Sequence, residues 1–254
     1  MKNIDSFPRR IVGVDGSAPS RAALRWATAR SRDDRAPLVV VHVAHEREAG
    51  EAVLAEARRF IRAEDPDLAI ESLRLEGRVW QVLSAAARAE DTLVIGTDKT
   101  GLVRGRVSGA LSVQLAMTAP CAVAVIPDFD LGFRRGIVVG IGRPESAPVV
   151  ATGALAEARR NGAPLTLVHG GCTGHCTDGL DAAEQELAGH DTDLVVRRRV
   201  LASAAADALL DAALDKELVV LGRASRAASG APIGTVTHAV LMNATAPVLL
   251  LPPT

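Results

Sequence analysis

Ile11-Val12-Gly13-Val14-Asp15-Gly16-Ser17 and, 127 residues further on, Val138-Val139-Gly140-Ile141-Gly142 decide the fold. Each is a compact apolar run that ends on a glycine turn, which reads as a buried strand leaving its sheet. The spacing is kept by Pro37 and Pro164 and by His42 and His169, all 127 apart. It shortens to 126 for Gly96 and Gly222, and to 125 for Gly109 and Gly234 and for Pro127 and Pro252. Solenoid units run to roughly 20–50 residues, so this period is that of a whole small domain. Two tandem domains are expected, residues 1–128 and 136–254. A linker at about 129–135 falls where Pro127, Asp128, Asp130 and Gly132 interrupt the apolar pattern.

Between these anchors short apolar runs alternate with longer amphipathic stretches. The first half predicts strands at 11–14, 38–43, 68–75, 92–95 and 122–126, with helices at 20–30, 46–63, 79–89 and 109–117. The second predicts strands at 137–141, 165–168, 194–200, 218–221 and 248–251, with helices at 147–160, 180–189, 202–214 and 236–242. Continuous Val/Ile/Leu runs separated by helices indicate parallel strands covered on both faces. Right-handed crossovers then give an α/β, doubly wound, Rossmann-like sheet in each half. Trp26 and Trp80 fall on the apolar faces of their helices, and Cys121, ahead of an apolar run, reads as a small buried hydrophobe.

The composition excludes several function classes. The formal net charge of −1 gives no basic excess for gripping nucleic acid. Aromatic residues are 2% of the chain and tyrosine is absent, so platforms for stacking bases are not expected. No run of about 18 apolar residues is present, so no membrane span is expected. MKNIDSFPRR lacks the apolar core of a signal peptide. A cytoplasmic protein is the expectation.

Ligands of open parallel sheets sit beyond the carboxyl ends of the strands, where the winding reverses. Asp15 ends the first strand, Gly96 ends the fourth, and Gly109 opens a helix whose terminal amides suit an anion. Lys99, Arg104 and Arg106 lie in the intervening loop. The plainer alternative is an aspartate that caps the next helix and glycines that only turn the chain.

Gly13-Val14-Asp15-Gly16-Ser17, followed by Ser20-Arg21-Ala22-Ala23-Leu24-Arg25-Trp26-Ala27, resembles the opening of universal stress proteins. The resemblance extends over nearly the whole chain, because both halves carry the late glycine loop, helix and final strand. It implies two tandem domains of the adenine nucleotide alpha hydrolase-like type, each a five-stranded parallel sheet flanked by helices. In nucleotide-binding members ATP lies against the first strand's aspartate, a second-strand residue and a loop of pattern Gly-x2-Gly-x9-Gly-Ser/Thr. Carried over, this puts Asp15 toward base or ribose, Val40 near the base, and Gly96, Gly109 and Ser112 toward the phosphates.

Both copies depart from that loop. In the first, Lys99 replaces the middle glycine and Ala110 the hydroxyl residue, while Ser112 keeps a hydroxyl two residues later. In the second, Ser225 replaces the middle glycine, the loop from Gly222 to Gly234 is one residue short, and Gly142 stands where Asp15 does. Gly234-Thr235-Val236-Thr237 retains the anion-binding helix start. ATP is therefore expected first in the first domain, with Gly222, Gly234 and Thr235 as the second domain's candidates. The expected role is a nucleotide-responsive stress regulator and not an enzyme; the alternative is a nucleotide-free interaction scaffold with vestigial pockets. No catalytic constellation is visible. The Ser-Gly-Gly-x-Asp-Ser loop of an adenylyl-transfer enzyme is missing after the first strand.

His169, Cys172, His175 and Cys176 carry metal-ligand chemistry, but their spacing is not that of a zinc finger. A reversible disulfide and an inert glycine-rich loop are the other readings. The last strands, 122–126 and 248–251, are apolar edges. In the family resembled, that edge makes the dimer, so an internal pseudo-dimer, and a possible homodimer, is implied.

Overall fold

Runs of Val, Leu and Ile become strands here because helices cover them on both faces, leaving no solvated side that polar residues would line. The computed structural model describes residues 7–44, 47–97, 110–128, 132–171, 177–190, 193–223 and 233–253, with backbone alone at 47–49 and 110. The chain divides into two compact units, Met1–Asp128 and Phe129–Thr254.

The first unit runs β1 (Arg10–Gly13), α1 (Ala18–Asp34), β2 (Leu38–Val43), α2 (Arg47–Glu64), β3 (Ile70–Leu75), α3 (Val79–Ala86), β4 (Thr92–Thr97), α4 (Ala110–Thr118) and β5 (Ala122–Pro127). Its sheet has the order β3-β2-β1-β4-β5, all parallel, with Ile11 paired to both Val39 and Leu93. Helices α1 and α2 pack together on one face; α3 and α4 pack together as a second pair. The second unit runs β6 (Ile137–Gly140), α5 (Ala147–Asn161), β7 (Leu165–Gly170), α6 (Asp178–Ala188), β8 (Val196–Leu201), α7 (Ala205–Ala212), β9 (Leu218–Gly222), α8 (Thr235–Asn243) and β10 (Val248–Leu251). Its order is β8-β7-β6-β9-β10, again all parallel. The expected α/β class, two Rossmann-like lobes each with a five-stranded parallel sheet, is what the chain forms.

Local chemistry sets the element ends. Helix α1 begins at Ala18, earlier than the apolar spacing implied, because the Ser17 hydroxyl accepts from the Ser20 amide and Pro19 sits in the first turn. The same helix ends on Arg35 at φ 57°, and its counterpart α5 ends on Gly162 at φ 60°. The left-handed cap is thus kept at a spacing of 127, filled by a costlier residue in the first copy. Trp26 is buried, with the Arg30 guanidinium 3.6 Å from its ring centroid. Trp80 is only half-buried. It leaves Leu83 as the buried residue of the short α3, and so departs from the core position its spacing implied. Cys121 is wholly buried.

A buried ion pair ties the entrance of β1 to that of β4. Asp91 accepts from the Arg9 amide at 2.9 Å, from Arg9 Nη2 at 2.7 Å and from the Arg88 amide at 2.9 Å. Its side chain is fully buried and that of Arg9 nearly so. Burial alone would raise the Asp91 pKa, but these hydrogen bonds and the guanidinium charge outweigh it and hold the carboxyl below its ordinary range. Because the folded value is depressed, the stability from Asp91 is present above an unfolded pKa of about 3.9 and lost as pH falls through the folded value. Asp91→Asn should therefore cost about 3–5 kcal/mol at pH 7 by stranding the Arg9 charge. Urea unfolding at pH 7 and at pH 3 checks this: the gap between wild type and variant should shrink in acid.

Candidate functional site

In each unit the winding reverses at one place, between β1 and β4 or between β6 and β9, and the strand tips there open a crevice. The first turn beyond the inner strand is held from below in the same way twice. His42 Nδ1 donates to the Val14 carbonyl at 2.6 Å, and His169 Nδ1 donates to the Ile141 carbonyl at 2.8 Å. A carbonyl only accepts, so Nδ1 carries the proton in both rings. The two histidines are structural tethers of the strand tip. Cys172, His175 and Cys176, the other members of the possible metal cluster, lie outside the described residues. Among the described residues no group of three or more His, Cys, Asp or Glu is placed to hold a metal ion.

In the first unit the turn is closed by its own side chains. The Asp15 carboxylate accepts from the Ser17 amide at 2.9 Å, and the Asp15 amide donates to the Ser20 hydroxyl at 3.3 Å. Partial burial pushes the Asp15 pKa up, yet the hydrogen bonds from Ser17 and Ser20 pull it below the ordinary carboxylate range. The residue remains exposed, but one oxygen is engaged by the turn. Gly96 stands at the end of β4 with Pro19 directly above it. A Cβ there would lie 2.2 Å from the Pro19 carbonyl carbon and oxygen, so helix packing alone already demands glycine. Ser112 is buried on α4. Gly109, with the loop residues Lys99, Arg104 and Arg106, lies outside the described residues.

Val40 is wholly buried in mid-strand, paired with Val12 and Ser72. Its repeat counterpart, Leu167, is buried too and does not border the second unit's cleft. The residues that do are Val168 and Gly170, counterparts of Val41 and Val43. By the repeat, the β2 residue equivalent to Val168 is Val41, whose side chain lies on the opposite face of the strand from that of Val40.

The second unit has a cleft of about 730 Å³ beyond β6, β7 and β9, within the size range of small-molecule sites, roughly 300–1,000 Å³. Gly222, Gly234 and Thr235, singled out from the loop pattern, all line it. Gly222 admits α5, since a Cβ would meet Val150 at 2.7 Å. Gly234 is the N-cap of α8, whose first amides face the cleft rim. Thr237 lines the cleft at 6% exposure, and its hydroxyl makes no hydrogen bond among the described residues. The apolar wall includes Ile141, Val150, Leu209 and Leu221. Gly142 leaves open space where the first unit has Asp15; nothing lies within 4 Å of its Cβ position.

Loop-pattern reasoning did not reveal Arg143 and Arg223, which border this cleft just past β6 and β9. The signal was present in the repeat: their counterparts are Gly16 and Thr97, so the second copy carries cations at two strand tips where the first does not. By contrast, a cavity of about 80 Å³ in the first unit lies between α1 and α2, among Leu24, Val53 and Phe60.

Residues 7–127 match the model of the universal stress protein family. The chain is 28% identical over 291 aligned positions to "Universal stress protein Rv2005c" of Mycobacterium tuberculosis, covering 96% of this chain and 98% of that one. A universal stress protein of Mycolicibacterium smegmatis is 26% identical, with 96% of each chain covered. Among solved structures, a universal stress protein from Archaeoglobus fulgidus aligns with a TM-score of 0.73 at 12% identity, over 97% of this chain and 98% of that one. The last likeness is one of fold. Among the described residues no helix is long and apolar enough to cross a membrane.

The two tip glycines differ in what they tolerate. Gly96→Ala should cost about 1–3 kcal/mol, because backbone and not a pliable side chain occupies the space. Gly142→Ala should be neutral or stabilising by about 0.4–1 kcal/mol, through the unfolded chain. Thermal melts of the two variants beside wild type check the contrast.

Proposed function

We propose, from the premise that this chain belongs to the universal stress protein family in its tandem two-domain form, that it is a nucleotide-responsive stress protein whose second unit binds an adenine nucleotide. One observation carries this reading: the second unit's strand-tip cleft is large enough for a nucleotide and ends at the start of α8, with Gly234, Thr235 and Thr237 in its lining. The apolar wall of Ile141, Val150 and Leu209 suits a purine face. The amides opening α8, with Thr235 and Thr237, suit the phosphates. Arg143 and Arg223 at the rim add the charge that draws an anion in.

The first unit, where ATP was expected first, is the subordinate site in this reading, since Asp15 already closes its own turn. Asp15, Gly96, Gly109 and Ser112 would hold its nucleotide. The role proposed is binding and regulation in the cytoplasm, with a protein partner reading the bound state. Hydrolysis would be slow: among the described residues Glu145 is the single carboxylate bordering the cleft, and phosphoryl transfer wants a metal-holding acid and a positioned water.

Titration calorimetry with ATP on wild type, Thr237→Val and Asp15→Ala tests the assignment. Wild type should bind, Thr237→Val should weaken binding about tenfold or more, the loss of one hydrogen bond to a charged group, and Asp15→Ala should leave the second-unit isotherm unchanged. Wild type giving no heat at millimolar ATP would overturn the reading in favour of a nucleotide-free interaction scaffold.

A further inference from the structure

Strand β8 occupies the outer edge of the second unit's sheet, where β3 occupies the edge of the first, and the two copies have diverged sharply there. Ile70 of β3 and Val196 of β8 pair with the equivalent residues Leu38 and Leu165. Strand β3 is half-buried along its whole length, with α2 packed on it and on β2. Strand β8 reads Val-Arg-Arg-Arg-Val-Leu and is exposed at every residue but the last. Its helix explains the difference: α6 is shorter than α2 and packs chiefly on α5. It reaches β8 through Arg198, whose guanidinium pairs with Asp181 at 2.6 Å and Glu184 at 2.9 Å.

The free edge has a definite pattern. The carbonyls of Val195 and Leu201 accept from Leu165 and Gly171 on the β7 side. The period of two then turns the N–H and C=O of Val196, Arg198 and Val200 outward, and none has a backbone partner among the described residues. Side chains alternate as well. Val196 and Val200, 36% and 43% exposed, lie on the α6 side with the already neutralised Arg198. Arg197 and Arg199 lie on the opposite side, with no ion pair among the described residues, beside Val195 at 54% exposure.

We propose that β8 is a docking edge for an extended acidic peptide segment, which adds as a further strand and alternates carboxylate with apolar side chains. The carboxylates meet Arg197 and Arg199, the apolar side chains cover Val196 and Val200, and the backbone completes the outward hydrogen bonds. Charge decides against a second copy of this chain. Pairing β8 with another β8 sets Arg197 and Arg199 against their own counterparts, and like charges opposed across strands destabilise. Arginines can also serve merely to keep an edge from pairing. That role does not account for three exposed valines within the same stretch.

The probe is a fluorescein-labelled ten-residue peptide of alternating Glu and Val, titrated with the full chain and followed by anisotropy. Binding is expected, with at least a tenfold loss in the double variant Arg197→Glu/Arg199→Glu. A comparable loss is expected when alternate peptide amides are N-methylated, which removes the strand's hydrogen bonds and keeps its charge. Amide shifts at Val196, Arg198 and Val200 in the intact protein, with unchanged circular dichroism of the variant, separate local loss from misfolding. No binding of the peptide at millimolar protein would overturn the proposal. So would equal binding of the N-methylated peptide or of a single-stranded oligonucleotide, either of which would make the arginines a patch for any polyanion.

Discussion

A parallel strand with helices on both faces can change very little, because every side chain along it is enclosed and any polar newcomer is left without water. Ile11, Val39, Leu93 and Val123 in the first lobe, and Val138, Leu165, Leu218 and Val248 in the second, are all buried to 1% exposure or less. Variation is therefore expelled to two places: the loops beyond the strand tips, and the outermost strand, where one side stays solvated. At both places the two copies differ. The tethering histidines show how little the frame has moved, since His42 and His169 hold the same carbonyl 127 residues apart.

Most of the frame was legible because it rests on short-range pattern. Strands β2 and β10 fall where the apolar runs place them, and the helices are misjudged mainly by the capping chemistry at their ends, as at Ser17 and Pro19. What pattern cannot supply is the third dimension around a residue. Gly96 fits a phosphate loop on spacing, yet the backbone of Pro19 fills the place a side chain would take. Spacing alone does not show that on β7 it is Val168, the counterpart of Val41 and not of Val40, that borders the second unit's cleft. Trp80 has helical spacing toward a core that the short α3 does not fully reach.

Comparing the copies position by position is more informative than comparing either with a motif. Asp15 corresponds to Gly142, Gly16 to Arg143 and Thr97 to Arg223, so one tip carries a carboxylate bonded into its own turn and the other carries two arginines. The same logic applies at the edge, where Ile70–Leu75 is sheltered and Val196–Leu201 is not. Duplication of a single lobe supplies two scaffolds under equal packing constraint, and specialisation then accumulates only where packing is silent.

The tryptophans have a practical bearing of their own. Both of them, Trp26 buried beneath Arg30 and Trp80 on α3, belong to the N-terminal lobe, and the chain contains no tyrosine. Intrinsic tryptophan emission therefore originates in one half of the molecule. A fluorophore placed beyond residue 128, for instance a Phe133→Trp substitution at a fully solvated position, would give the silent lobe an optical signal of its own.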